Sequence, residues 1–82
     1  MKELVEYMAR FLVRSPDAVN VTEAVREGVL TLELRVADED LGRVIGKEGR
    51  TAKALRAILN AAAARRNQRV VLDIVEKDRP KP

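Results

Sequence analysis

The stretch Gly42-Arg43-Val44-Ile45-Gly46-Lys47-Glu48-Gly49-Arg50-Thr51 narrows the choices open to this chain more than any other. It holds three of the four glycines and opens the most basic part of the sequence. Gly46 and Gly49 enclose Lys47-Glu48, with the apolar pair Val44-Ile45 before them and a long helical pattern after them. Glycine permits positive φ and has no side chain to hold a ligand away. A turn of this kind between two helices can press its own backbone against a phosphate backbone.

Eighty-two residues allow one small domain, near the size where a core is only just sufficient. With no cysteine, neither a disulfide nor a thiolate metal site assists it. With no histidine, the usual general base and the commonest zinc ligand are gone too. A hydrophobic content of 46% argues for a folded core, not disorder. The N-terminus lacks a charged-then-apolar signal pattern, and no apolar run approaches membrane-spanning length. The expectation is a cytoplasmic protein with no membrane partner and no cofactor.

Charge is unevenly placed. Residues 43–69 carry Arg43, Lys47, Arg50, Lys53, Arg56, Arg65, Arg66 and Arg69 against Glu48 alone, a net +7. The remainder is net −4, so the modest total of +3 hides a basic segment on an acidic body. That asymmetry, coinciding with the glycine loop, predicts a side that faces a polyanion.

Residues 2–13 have Leu4, Met8, Phe11 and Leu12 on one face of a 3.6-residue period and predict an amphipathic helix. Tyr7 and Phe11, the only aromatics, are expected in the core or at its edge. Ser15-Pro16-Asp17 breaks the helix. Residues 18–27 are a strand candidate, with Val19, Val21 and Val25 alternating and Glu23 interrupting them. Val29 to Val36 alternates cleanly, with Leu30, Leu32, Leu34 and Val36 on one face. A turn at Glu27-Gly28 makes the two strands an antiparallel hairpin.

Asp38 is expected to N-cap a short helix with Glu39 and Asp40 in its first turn. Leu41, Val44 and Ile45 give that helix one buried face, and Gly46 ends it. A longer helix is predicted from about Arg50 to Arg66, with Ala52, Leu55, Leu59 and Ala62 as its stripe and Ile58 beside it. Arg69 to Glu76 reads as a strand with apolar residues on both faces. Residues 77–82, charged and proline-containing, are expected to be a disordered tail.

The order is therefore α-β-β-α-α-β. A two-helix crossover between the second and third strands suits parallel pairing. Three apolar helix stripes need one sheet face to cover, which predicts a two-layer α+β fold with three helices on one face of a three-stranded mixed sheet.

Val44-Ile45-Gly46-Lys47-Glu48-Gly49, with Leu55 and Ile58-Leu59 downstream, resembles the centre of a KH domain. The element order resembles the bacterial type II arrangement. Over nearly the whole chain, size and order resemble the small single-KH RNA-binding proteins of bacteria, the KhpA (YlqC) family. The resemblance implies a type II KH domain over residues 1–76. It also implies a Gly-x-x-Gly loop that clamps about four unpaired nucleotides by their backbone, with the bases in an apolar groove. The candidate RNA-binding residues are then the loop Gly46, Lys47, Glu48 and Gly49, Ile45 at the groove wall, Arg50 adding direct charge with Lys47, and Arg43, Lys53 and Arg56 within reach of the strand beyond. Glu48 puts a carboxylate in the clamp, which counts against tight binding. Further implied are pairing with itself or with a Jag-type (KhpB-type) KH protein, and a role as an RNA chaperone or post-transcriptional regulator linked to cell shape and cell-wall growth.

Rival classes fare worse. A phosphate loop needs four residues between its first glycine and Gly-Lys-Ser/Thr; Gly42 and Gly46 are separated by three, and Glu48 stands in the Ser/Thr place. With no His or Cys, and carboxylates on predicted solvent faces, no catalytic group emerges, so an enzyme is not expected. The alternative is a protein-interaction or dimerisation module in which RNA binding is secondary. Single-stranded DNA is not separated from RNA by phosphate recognition alone.

Overall fold

A computed structural model describes residues 1–76. Its elements are α1 (Lys2–Leu12), β1 (Asn20–Arg26), β2 (Val29–Arg35), α2 (Leu41–Ile45), α3 (Arg50–Arg65) and β3 (Arg69–Ile74). Single 3₁₀ turns at Pro16–Ala18, Asp38–Asp40 and Lys47–Gly49 join them. The order is the one read from the sequence, and the proposed tail at residues 77–82 lies outside the described residues.

The strands form one mixed sheet in the order β1-β2-β3. β1 and β2 pair antiparallel, with Arg26 opposite Val29 across the two-residue turn Glu27-Gly28. Both turn residues have positive φ, 52° and 79°, the conformation that matches a tight hairpin to the twist of its strands. β2 and β3 pair parallel, so Leu30, Leu32 and Leu34 stand beside Val70, Leu72 and Ile74. All six are buried under the helices and form the centre of the core with Val21, Val44, Leu55 and Leu59. The opposite sheet face is polar around β1 and β2. There Thr22 donates to Glu33, its partner in the register, and accepts from Arg35.

Three details depart from the sequence reading. Tyr7 and Phe11 are 62% and 73% exposed, not core. α1 is rolled so that Val5 and Ala9 face the sheet, flanked by half-buried Leu4, Met8 and Leu12. The small side chain of Ala9 lets the helix sit close, and the two aromatics, four residues apart, pack edge to face with each other instead, 5.0 Å between centroids. In α3 the buried stripe is Ala52, Leu55, Leu59 and Ala63; Ala62 is only half-buried beside it. Val25 shares the inner face with Val21 but is 71% exposed; its register partner Leu30 on central β2 is buried, so the edge strand β1 is the one left uncovered at this level.

These placements predict a contrast in urea unfolding followed by circular dichroism. Leu59→Ala should cost about 2–5 kcal/mol, whereas Phe11→Ala should cost under about 1 kcal/mol. Equal losses would contradict the roll of α1.

Candidate nucleic-acid interface

The glycine loop owes its shape to three departures from helical backbone. Gly46 ends α2 at φ 78°, Glu48 sits left-handed at φ 57°, and Gly49 follows at φ 74° as the residue before α3. The glycines are required for different reasons. A Cβ on Gly46 would stand 2.7 Å from the Thr51 Cβ and 2.8 Å from the Thr51 amide nitrogen, so the first turn of α3 closes against the bare Cα. A Cβ on Gly49 would meet nothing within 4 Å, so its surface is open. Glu48 accepts a left-handed conformation that costs an ordinary residue about 1–2 kcal/mol.

The loop's own hydrogen bonds are few. Gly46 N–H donates to Gly42 O at 2.8 Å and Gly49 N–H to Gly46 O at 3.1 Å. The amides of Lys47 and Glu48 have no backbone acceptor among the described residues. They lie just ahead of the sixteen-residue α3, whose aligned peptide dipoles make its start electropositive. Lys47 and Arg50 flank Glu48, and an Arg50 Nη2 lies 3.5 Å from a Glu48 carboxylate oxygen. Both partners of that pair are exposed, so it is worth at most about 1 kcal/mol and an incoming anion can displace it.

Beside the loop lies a cavity of ≈ 280 Å³ lined by Ile45, Gly49, Ala52, Lys53, Arg56, Ile74 and Glu76. The structure thus brings four of the sequence-derived residues, Ile45, Gly49, Lys53 and Arg56, to one groove. Gly46, Lys47, Glu48 and Arg50 are in the loop at its mouth. Val44, placed by its spacing on the buried face of the short helix, is wholly buried core. Ala52, read from the sequence only as part of the α3 core stripe, and Ile74 and Glu76 were not among the site candidates. Their signal is three-dimensional: β3 returns alongside α3, and no spacing in the sequence states that.

Arg43 does not join the groove. Its Nε donates to the Asp40 carboxylate at 3.3 Å. Asp40 is fully buried, and it accepts the Arg14 amide at 3.2 Å and the Ser15 amide at 3.0 Å as well. It stands in the first turn, as read from the sequence, but its carboxylate turns away from the helix and ties the exit of α1 to the entry of α2. Asp38 lies inside the 3₁₀ turn Asp38–Asp40, whose N-cap position is Ala37, and not at the N-cap where the sequence reading placed it. Burial alone pushes the Asp40 carboxyl up; the Arg14 and Ser15 amides and the Arg43 guanidinium outweigh it and hold the group below the usual aspartate range.

Residues 2–74 match the family model described as the KH domain of KhpA/KhpB. The chain belongs to the KhpA/KhpB family of KH domains. Similar proteins named RNA-binding protein KhpA come from distant bacteria. That of Clostridium acetobutylicum is 52% identical over 75 residues, covering 92% of this chain and 100% of the relative. That of Halalkalibacterium halodurans is 51% identical over 76 residues, covering 93% and 100%. That of Aquifex aeolicus is 49% identical over 76 residues, covering 93% and 96%. The KhpA/KhpB family is non-enzymatic. Among the described residues no group of His, Cys, Asp and Glu is placed to hold a metal ion, and no helix is long and apolar enough to cross a membrane.

Two measurements check this geometry. Gly46→Ala should destabilise by about 2–4 kcal/mol through combined strain and overlap, and Gly49→Ala by about 1–2 kcal/mol through backbone strain alone. For Asp40, a lowered folded pKa means that its stabilisation is complete above the ordinary aspartate value and is lost as pH falls through the folded value. Thermal melts should therefore show the natural chain above Asp40→Asn at neutral pH. The gap should close as pH drops below about 4; a gap independent of pH would exclude an ionised tie.

Proposed function

We propose that this chain binds single-stranded RNA, gripping its backbone at Gly46–Gly49 and laying its bases in the groove between α3 and β3. The observation that carries the reading is the loop itself. Two glycines at positive φ set unpaired amides at the start of a long helix, next to a groove with apolar lining and basic residues along it. In this mechanism the Lys47 and Glu48 amides and the α3 dipole receive a phosphate, and Lys47 and Arg50 add charge. Lys53 and Arg56 follow the strand, and Ile45 supports a base. Arg43 steadies the loop from below through Asp40, and Glu48 moderates affinity by competing for Arg50.

The likeness to proteins named RNA-binding protein KhpA supports the ligand class. From the same likeness we take the cellular role to be an RNA chaperone or post-transcriptional regulator in the cytoplasm, tied to cell shape and cell-wall growth. Residues 1–76 act as the KH domain. Pairing, with itself or with a KhpB-type protein, is supported by the apolar side chains left outside, Ile58 on α3 at 48% exposure together with Tyr7 and Phe11 on α1.

Fluorescence anisotropy with a short single-stranded RNA across a salt series tests the clamp. The double variant Lys47→Asp, Glu48→Asp should remain folded and bind at least about tenfold more weakly. Its log-affinity should depend on log-salt with a slope shallower by about 0.7 for each phosphate that the variant no longer neutralises. A folded variant with unchanged affinity would sink the assignment. A matched DNA strand reports how much of the binding depends on the 2′-hydroxyl. Sedimentation of the natural chain and of Ile58→Lys tests pairing: a dimer that becomes a monomer supports it, and a monomer at all concentrations counts against it.

A further inference from the structure

Four arginines gather at the end of the domain that lies away from the glycine loop. Arg26 closes β1, Arg65 and Arg66 close α3, and Arg69 opens β3. The sheet register puts the strand residues in one row. Arg26 stands opposite Val29, and Val29 opposite Arg69, on the face turned from the helices, since their neighbours Leu30 and Val70 point into the core. Arg26 and Arg69 are thus two strand spacings apart, about 10 Å. Only Asn67-Gln68 separates Arg66 from Arg69, so the end of α3 stands beside the same row. All four arginines are exposed. The sixteen residues of α3 separate this end from Gly49 by about 24 Å.

The protein leaves these guanidinium groups unoccupied. Arg10, Arg35, Arg43 and Arg50 each have a carboxylate within ion-pair distance. Arg26, Arg65, Arg66 and Arg69 have neither an ion pair nor a side-chain hydrogen bond among the described residues. Closing the carbonyl end of α3 does not require them. Backbone amides do that: Arg66 N–H and Gln68 N–H each donate to Ala63 O at 2.9 Å, and Asn67 N–H donates to Ala64 O at 3.2 Å. The helix dipole favours a cation at this end, which accounts for Arg65 or Arg66 but not for Arg26 and Arg69 on the strands. Across the segments 26–28 and 65–69 the one carboxylate is Glu27, so four positive charges face a single negative one. Their mutual repulsion is relieved when a polyanion arrives.

The chemistry of the patch narrows that polyanion. Guanidinium forks bind phosphate oxygens bidentately, which suits arginine to this task better than lysine. None of the four arginines lines the groove beside the loop, and no aromatic side chain stands among them to stack a base. An unpaired strand therefore gains more in the groove. A paired RNA segment presents what the patch can use: phosphates outside, bases turned inward, and a major groove that side chains cannot read.

We propose that Arg26, Arg65, Arg66 and Arg69 form a second RNA site, which holds the phosphate backbone of a paired segment while the loop holds an unpaired one. This deepens the RNA-binding reading but does not depend on the loop. The preferred ligand of the whole domain is then a junction, a stem with a single strand running from it.

The test uses anisotropy with the full chain and three probes: an unpaired RNA of about four nucleotides, a blunt RNA duplex of about twelve base pairs, and that duplex with an unpaired overhang of about eight nucleotides. The natural chain should bind the junction at least about tenfold more tightly than either simpler probe, because the second contact becomes intramolecular. Arg26→Gln, Arg69→Gln, checked for folding by circular dichroism, should bind the duplex at least about fivefold more weakly with a shallower salt slope, and bind the short strand as before. Lys47→Asp, Glu48→Asp should do the reverse. Equal duplex affinity of the natural chain and Arg26→Gln, Arg69→Gln would overturn the second site, as would a natural chain that ignores the duplex. Loss of duplex binding in the loop variant would overturn it too, by placing both ligands at the loop. Duplex binding lost only in the arginine variant, with no binding of the short strand by the natural chain, would uphold this site and sink the clamp instead.

Discussion

The parallel pairing of β2 with β3 is the constraint from which the rest follows. Parallel neighbours cannot be joined by a hairpin, so the chain must leave the end of β2 and return to the start of β3. It does so with α2 and α3, both on the face that buries Leu30, Leu32 and Leu34. A crossover made of two helices needs a turn between them, and that turn is the glycine loop. The return also lays β3 alongside α3, which creates the groove. Loop and groove are thus products of one topological requirement, and neither needs an element added to the domain.

Much of this was legible in the sequence because it was written in periodicity and in glycine. The alternation from Leu30 to Leu34 and the stripe of Ala52, Leu55 and Leu59 each allow one arrangement against a single core. Gly28, Gly46 and Gly49 mark the two turns, the hairpin and the helix–helix loop, where the backbone goes to positive φ beside a glycine. What escaped was decided by neighbours distant in sequence. Whether Phe11 or Ala9 faces the sheet depends on how closely α1 must sit, and both choices satisfy a helical period. The role of Asp40 depends on amides twenty-five and twenty-six residues away, and a buried carboxylate looks in sequence like any first-turn acid. The groove wall was half visible: its α3 side follows from spacing, its β3 side from folding alone.

The charge of the loop also reads differently once placed. Lys47 and Arg50 add attraction, but Glu48 partly neutralises Arg50 at rest. On the reading proposed above, such a loop keeps a moderate hold on a polyanion, with specificity left to the groove. The scarcity of aromatic residues agrees with that division, since the apolar part of the groove lining is aliphatic and the two aromatics stand on α1, outside the groove.

The strand β3 has apolar residues on both its faces, and this carries a cost for accurate folding. Val70, Leu72 and Ile74 point inward, but Val71 and Val75 would satisfy the core almost as well. A slip of one position would exchange the two sets, and hydrophobicity would barely register the error. Asp73 is the residue that would register it, because the slipped strand would carry a carboxylate to the place where Leu72 or Ile74 now lies. One aspartate on an otherwise ambiguous strand thus acts as a proofreader of alignment.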